Sequence, residues 1–60
     1  MPADLAAALA SAPDAGRFFE GMTYSDRRAH VMSIEGAKTP ETRQRRIDRA
    51  VEKFLEGKAR

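Results

Sequence analysis

The 60-residue chain contains no cysteine, no tryptophan and a single histidine. Without cysteine, neither a disulfide framework nor a thiolate metal site can stabilise the fold. One histidine would leave a zinc ion with carboxylates as most of its ligands, so we expect no metal site and no cofactor. A chain of this length buries only about 60% of its unfolded surface. We therefore expect one small domain over residues 1–60, of marginal stability.

Long apolar runs are also missing. The longest one covers residues 5–10 and consists mostly of alanine. A secretory signal needs about 7–15 strongly apolar residues behind a basic start, and a membrane-spanning helix needs about 20. We therefore expect a cytoplasmic protein without a membrane span.

Proline, glycine and threonine divide the chain into four segments, and no segment alternates apolar and polar residues as a strand would. This pattern predicts an all-α fold, a compact bundle of four short helices joined by short loops, with the C-terminal helix longest. Gly21 is expected to close the second helix as a left-handed cap. The predicted helices cover residues 2–10, 13–21, 24–36 and 40–56.

The fourth segment has the clearest helical pattern. Thr39 is a suitable N-cap and Pro40 a suitable first residue, while apolar residues recur at i, i+3, i+4, i+7 and i+8 from Ile47. Outside this pattern, Met32 is expected to leave a small exposed apolar area, and Tyr24 to keep its hydroxyl at the surface. The predicted core consists of Leu5, Leu9, Phe18, Phe19, Val31, Ile34, Ile47, Val51, Phe54 and Leu55.

Catalysis of the Ser-His-acid type would depend on His30, with Ser33 and Glu35 close by in sequence. Such neighbours accompany almost any histidine on a helix, and 60 residues rarely form a pocket that excludes water. We therefore expect His30 to be structural or simply exposed, and the protein not to be an enzyme.

Basic residues are distributed unevenly along the chain. Residues 1–22 carry three acids and one arginine, whereas residues 23–60 carry ten bases and six acids. Several arginines fall in the first half of the fourth helix, where the helix dipole disfavours cations by a few tenths of a kcal/mol each. The candidates for binding an anion or a partner are Arg27, Arg28, Lys38, Arg43, Arg45 and Arg46.

Arg43 has two interpretations, because it lies one helical turn before Ile47 and its stem should pack at the edge of the core. In the structural one, its guanidinium pairs with Glu35, with Asp26 or with a backbone carbonyl at the end of a neighbouring helix. In the functional one, it forms a small anion-binding patch with Arg46 and with an arginine of the third helix, Arg27 or Arg28.

Arg45 and Arg49 should lie on the outer face of the same helix. Three acids are three or four residues away, so we expect exposed ion pairs there. These acids are Glu41, Asp48 and Glu52.

The string Ile-Glu-Gly-Ala-Lys-Thr-Pro-Glu-Thr-Arg-Gln-Arg-Arg-Ile, residues 34–47, resembles the C-terminal helical domain of the YdeI/OmpD-associated, or bacteriocin-protection, family. The opening Pro-Ala-Asp-Leu and the closing Glu-Gly-Lys are also similar. Members usually carry a Tyr at the position of His30 and a Trp at that of Ser33. The resemblance implies a helical domain in a bacterial protein and no known reaction. It also implies a β-rich partner, because members usually carry a β-rich domain ahead of this one.

Two hypotheses follow for the function. The leading one is a non-catalytic small helical interaction module whose partner is a β-rich domain or another protein. The alternative is nucleic-acid or polyanion binding through the arginine cluster on the third and fourth helices. This cluster consists of Arg27, Arg28, Arg43, Arg45, Arg46 and Arg49. A net charge of only +2 and the six acids in the basic region argue against nucleic acid.

Overall fold

The computed structural model describes residues 1–59. Helices account for the regular structure of these residues, and no strand occurs among them. They are α1 (Ala3–Ser11), α2 (Pro13–Glu20), α3 (Tyr24–Glu35) and α4 (Pro40–Leu55). The all-α bundle with the longest helix at the C-terminus is thus confirmed, and each observed boundary lies within one residue of the predicted one. None of these helices combines the length and the apolar character needed to cross a bilayer.

The N-terminal ends of α3 and α4 are fixed by threonine caps. The Thr23 hydroxyl accepts a hydrogen bond from the Asp26 amide at 3.2 Å. The Thr39 hydroxyl accepts one from the Thr42 amide at 3.1 Å. Each cap satisfies one of the amide groups that the first turn of a helix leaves without a partner. The caps therefore fix where α3 and α4 begin, and the cap at Thr39 is the one predicted above.

The C-terminal end of α4 is a left-handed turn at Gly57, where φ is +80°. The Gly57 amide donates to the Phe54 carbonyl at 3.0 Å, and the Lys58 amide donates to the Lys53 carbonyl at 2.9 Å. These two bonds are the pair that defines a Schellman motif. The turn reverses the chain, so that Ala59 packs back against the core.

The left-handed cap predicted at Gly21 is wrong. Gly21 has a φ of −80° and stays in the right-handed region. Its amide donates to the Arg17 carbonyl, and the Met22 amide donates to the Phe19 carbonyl at 3.1 Å. The last turn of α2 therefore closes by short-range bonds, without the positive φ that would require glycine.

The core lies between α4 and the other helices, each of which contacts it. Leu5, Ile34 and Ile47 are fully enclosed, and one comes from each of α1, α3 and α4. Helix α2 contributes Phe19, whose ring lies 5.7 Å from that of Phe54. The buried hydrophobic residues are Leu5, Leu9, Ala15, Phe19, Met22, Ile34, Ile47, Ala50 and Phe54.

Leu55 was predicted to be a core residue, and this prediction is wrong, because 57% of its surface is exposed. Ile47, Ala50 and Phe54 define the buried face of α4. Leu55 lies about 100° beyond Phe54 around the helix, which places it outside that face. Three other predicted core residues, Phe18, Val31 and Val51, are only partly buried at its edge.

Candidate functional site

Arg43 joins three helices. Its Nε donates to Oδ2 of Asp4, in the first turn of α1, and its Nη2 donates to Oδ1 at 3.2 Å. Its Nη1 lies 3.5 Å from the carbonyl oxygen of Ile34, near the end of α3. The two bonds to one carboxylate give the fork-to-fork geometry that arginine forms with acids. Arg43 therefore connects α4 to α1 and reaches α3.

The hydrogen bond from Arg43 lowers the pKa of Asp4, and the Leu5 amide, which donates to Oδ1 at 3.0 Å, lowers it further. Partial burial acts in the opposite direction. The same hydrogen bond raises the pKa of Arg43, with a smaller electrostatic contribution from Glu35. Because its charge is already balanced by Asp4, Arg43 is a poor candidate for holding a ligand anion.

The structural interpretation of Arg43 therefore holds, with one difference. One of the expected partners, a backbone carbonyl near the end of a neighbouring helix, is present: it is the carbonyl of Ile34. The carboxylate partner is Asp4, which lies 39 residues away and was not among the expected acids.

Two more of the candidate arginines bind carbonyls near helix ends. Nη1 of Arg46 donates to the Ser33 carbonyl of α3. Nη1 of Arg27 donates to the Glu20 carbonyl, the last of α2, at 3.1 Å. The last four carbonyls of a helix have no partner within it, and the negative end of the helix dipole favours a cation there. Both arginines therefore contribute to the fold.

The remaining candidates, Arg28, Lys38 and Arg45, are exposed. Nη1 of Arg28 lies 3.5 Å from the Tyr24 hydroxyl, which is at the limit of a hydrogen bond. Within residues 1–59, Lys38 and Arg45 form neither a hydrogen bond nor an ion pair. The candidate set thus divides into residues engaged in the fold and residues open to solvent.

The ion pairs expected for Arg45 and Arg49 do not form among the described residues. Asp48 instead accepts a hydrogen bond from Nε2 of Gln44 at 2.9 Å. Exposed pairs on a helix gain little in water, since holding two long side chains together costs entropy. The outer face of α4 therefore carries unpaired cations.

Helix α3 separates the arginines that were expected to form one patch. Arg28 and Ser33 lie about 140° apart around α3, from the rotation per residue of an α-helix. Arg27 and Arg28 face one side, whereas Ser33, with Arg46 bound to its carbonyl, faces the other. Each side of α3 has its own groove.

The first groove, here named the apolar groove, has a volume of about 580 Å³. Its exposed apolar side chains are those of Met1, Tyr24 and Met32, and the exposed fractions of these residues are 70%, 68% and 56%. The sequence predicts the exposure of Met32 and a surface hydroxyl for Tyr24. It does not predict that most of the Tyr24 side chain is exposed, or that both residues lie beside Met1. The groove is lined by Met1, Phe19, Tyr24, Arg27, Arg28, Val31, Met32 and Glu35.

The second groove, here named the basic groove, lies between α3 and α4 and has a volume of about 370 Å³. A smaller depression of about 190 Å³ adjoins it and shares two arginines with it. No carboxylate of the described residues lines either one. Together they are lined by His30, Ser33, Thr42, Arg45, Arg46, Arg49, Ala50 and Lys53.

One cation of the basic groove, Lys53, was not among the candidates, and Arg49 was predicted only for the nucleic-acid or polyanion alternative. The spacing of Arg45, Arg49 and Lys53 at i, i+4 and i+8 is the signal that would have found Lys53, because it aligns three cations along one side of α4.

His30 is part of the packing at the end of α4. Its Nε2 is bonded to the Ala59 carbonyl, so the ring carries a proton at Nε2 and donates it. Its edge meets the face of Phe54, with ring centres 4.9 Å apart. Glu35 lines the apolar groove, away from the ring. No His, Cys, Asp and Glu side chains in the described part of the chain are grouped closely enough to hold a metal ion.

A comparison with protein families gives a match over nearly the whole chain. The family model described as bacteriocin-protection, YdeI or OmpD-associated matches residues 1–57. No curated protein and no solved structure matches the chain.

Proposed function

The chain belongs to the bacteriocin-protection, YdeI or OmpD-associated family, and from this premise we propose that it is a non-catalytic interaction module. In this proposal it binds another polypeptide through the apolar groove. The family description names OmpD as an associated protein, and the family resemblance suggests a β-rich domain as a second kind of partner. A cytoplasmic location stays a prediction.

The observation that carries this proposal is the clustering of exposed apolar side chains. Among the described residues, the large hydrophobic side chains exposed to solvent are Met1, Tyr24, Met32 and Leu55. All except Leu55 line the apolar groove. Contiguous apolar surface with a polar rim is typical of protein interaction sites, and Tyr, Met and Arg are enriched there.

The non-catalytic part of the proposal is supported by the surroundings of His30. A general base must have a free nitrogen within reach of the proton that it removes. Nε2 of His30 donates to the Ala59 carbonyl, so the basic nitrogen of the ring is Nδ1. Among residues 1–59, no serine hydroxyl donates a hydrogen bond to Nδ1. Glu35 lines the other groove, so no acid of the Ser-His-acid type orients the ring from that position.

Binding through the apolar groove can be tested with OmpD in detergent and with a β-rich domain of the family as probes. Met32→Lys places a charge in the groove, whereas Leu55→Lys places the same charge on an equally exposed apolar residue outside it. We expect the parent and Leu55→Lys to bind one probe with equal affinity, and Met32→Lys to bind it at least about tenfold more weakly.

Isothermal titration calorimetry measures these affinities. A parent that binds neither probe, or an equal loss in both variants, would contradict the proposal.

Polyanion binding through the basic groove is the second candidate function. It is supported by Arg45, Arg49 and Lys53, which have no partner among residues 1–59, and by the absence of carboxylates from the lining of the groove. Acids on the adjacent face of α4 reduce the positive electrostatic potential of the basic groove. A row of unpaired cations is nevertheless the arrangement that attracts phosphate groups.

The salt dependence of binding to random duplex and single-stranded DNA tests this second function. If the basic groove binds phosphates, the affinity should fall steeply with salt, and Arg49→Glu should abolish it. Arg28→Glu changes the charge by the same amount on the other side of α3 and should retain binding. No binding at low salt would remove this candidate.

A further inference from the structure

The exposed side of α3 forms a ridge of side chains with one residue per turn. Tyr24, Arg28 and Met32 follow at intervals of four residues, and such residues lie above one another on a helix. Val31 and Glu35 lie beside this ridge in the same groove. All of them except half-buried Val31 are exposed to solvent. This ridge therefore forms one accessible face of a twelve-residue helix.

The charges of this face are complementary to those of a second copy. Arg28 and Glu35 are seven residues apart, about two turns, and so lie on the same side of α3. The midpoint between them falls between Val31 and Met32. A two-fold axis through this midpoint would place Arg28 opposite Glu35 of the second copy and Glu35 opposite its Arg28. The apolar pair would then lie at the centre of the contact.

We propose that the protein forms a homodimer in which the α3 helices of two copies pack antiparallel along this face. This proposal rests on the proposed function, because it uses the apolar groove as the binding surface and names a second copy of the chain as its partner. A two-fold dimer is the commonest oligomer, and its interface must be complementary to itself, as this face is.

The charged residues of this face have few contacts within the monomer, where Glu35 acts only through the small contribution of its charge to the pKa of Arg43. Arg28 has only the long contact to the Tyr24 hydroxyl, and Glu35 forms neither a hydrogen bond nor an ion pair within residues 1–59. Both remain available for a second copy. In the dimer, Met32 and Val31 would exclude water at the centre while the two ion pairs fix the antiparallel direction at the rim.

One helix face from each copy makes a small interface, below the roughly 1,200 Å² of a standard one. The dimer should therefore be weak, with a dissociation constant of about 100 µM. Sedimentation equilibrium between about 10 µM and 1 mM covers this range. The average mass of the parent should rise from that of a 6.7 kDa monomer towards twice this value.

Charge reversal tests the geometry. Arg28→Glu places two glutamates opposite each other at both ends of the interface, and Glu35→Arg places two arginines there. Each variant alone should dimerise at least about tenfold more weakly than the parent, because like charges then face each other twice. An equal mixture of the two variants should dimerise again, since every facing pair in the mixed dimer has opposite charges.

Arg45→Glu is the matched control, because it reverses an exposed and unpaired charge in the depression beside the basic groove and should leave dimerisation unchanged. Circular dichroism confirms that each variant is folded. A parent that stays monomeric at 1 mM would overturn the proposal. So would a mixture of Arg28→Glu and Glu35→Arg that stays monomeric under conditions in which the parent dimerises.

The outcomes also separate the homodimer from the proposed function. If the parent is monomeric but Met32→Lys selectively loses binding to OmpD or to the β-rich domain, the dimer is wrong and the proposed function stands. The opposite outcome is a parent that dimerises, with the charge-reversal variants behaving as expected, but binds neither OmpD nor the β-rich domain. The dimer then stands, and the proposal that the apolar groove binds a different protein is wrong.

Discussion

Asp4 and Arg43 lie 39 residues apart in the sequence and form an ion pair between α1 and α4. Asp4 also lies in the first turn of α1, where the helix dipole favours a negative charge. The sequence reveals only this local role. The ion pair depends on how α1 packs against α4, and no spacing between the two residues encodes that packing.

The acid dependence of stability follows from the lowered pKa of Asp4. In the unfolded chain this pKa is near 3.8, and the hydrogen bond from Arg43 lowers it in the folded state. A lowered folded-state pKa means that the ionised carboxylate stabilises the fold at every pH above about 4. As the pH falls below 4, the unfolded chain binds the proton first, and this stabilisation is lost through the folded-state pKa.

Asp4→Asn should therefore have a lower urea midpoint than the parent at pH 7. The difference should shrink as the pH falls below about 4 and the carboxylate of the parent becomes protonated. Urea titrations of both proteins at pH 7, 4, 3 and 2 measure it. A difference that stays constant over this range would show that the charge of Asp4 does not stabilise the fold.

Helix α4 shows which features of an element the sequence can predict. Its start follows from Thr39 and Pro40, and its end from Gly57, because caps act within a few residues. Its buried face was predicted too broadly, and Leu55 was included. The spacing of apolar residues predicts which side of the helix is apolar. The neighbouring helices determine how much of that apolar side is buried.

Phe54 and Leu55 provide a matched test of this buried face. Phe54 is 2% exposed and contacts the rings of Phe18, Phe19 and His30, whereas the next residue is mostly exposed. Phe54→Ala should cost about 3–5 kcal/mol, comparable to the whole stability of so small a domain, and should leave the chain unfolded. Leu55→Ala should change the free energy of unfolding by about 0.5 kcal/mol or less.

Thermal unfolding followed by circular dichroism distinguishes these outcomes. A cooperative transition in Phe54→Ala at nearly the parent temperature would contradict the position of α4 in the core. A similar loss in both variants would contradict the boundary of the buried face.

At the scale of the whole molecule, the basic residues serve two purposes. Arg27 and Arg46 bind carbonyls near the ends of α2 and α3, where the negative end of the helix dipole favours a cation. Arg43 pairs with the Asp4 carboxylate in the first turn of α1. Arg45 and Arg49 stay open to solvent. Composition predicts the charge asymmetry, but only the packing of α3 against α4 decides which arginines remain accessible.

The candidate site was therefore only partly predictable. The residue types, the exposure of Met32 and the surface hydroxyl of Tyr24 follow from local pattern. The division of the arginines by α3, and the approach of Met1 to Tyr24 and Met32, follow from contacts between distant segments.

Some arginines stabilise the fold and others are open to solvent, and the most direct test of this difference compares Arg43→Met with Arg45→Met in a urea titration at pH 7. Arg43→Met keeps the stem but leaves Asp4 without its partner, so its midpoint should fall clearly below that of the parent. Arg45→Met removes an exposed cation without a partner, and its midpoint should equal that of the parent within error. A midpoint of Arg43→Met at or above that of the parent would contradict the account and make Arg43 available for binding an anion.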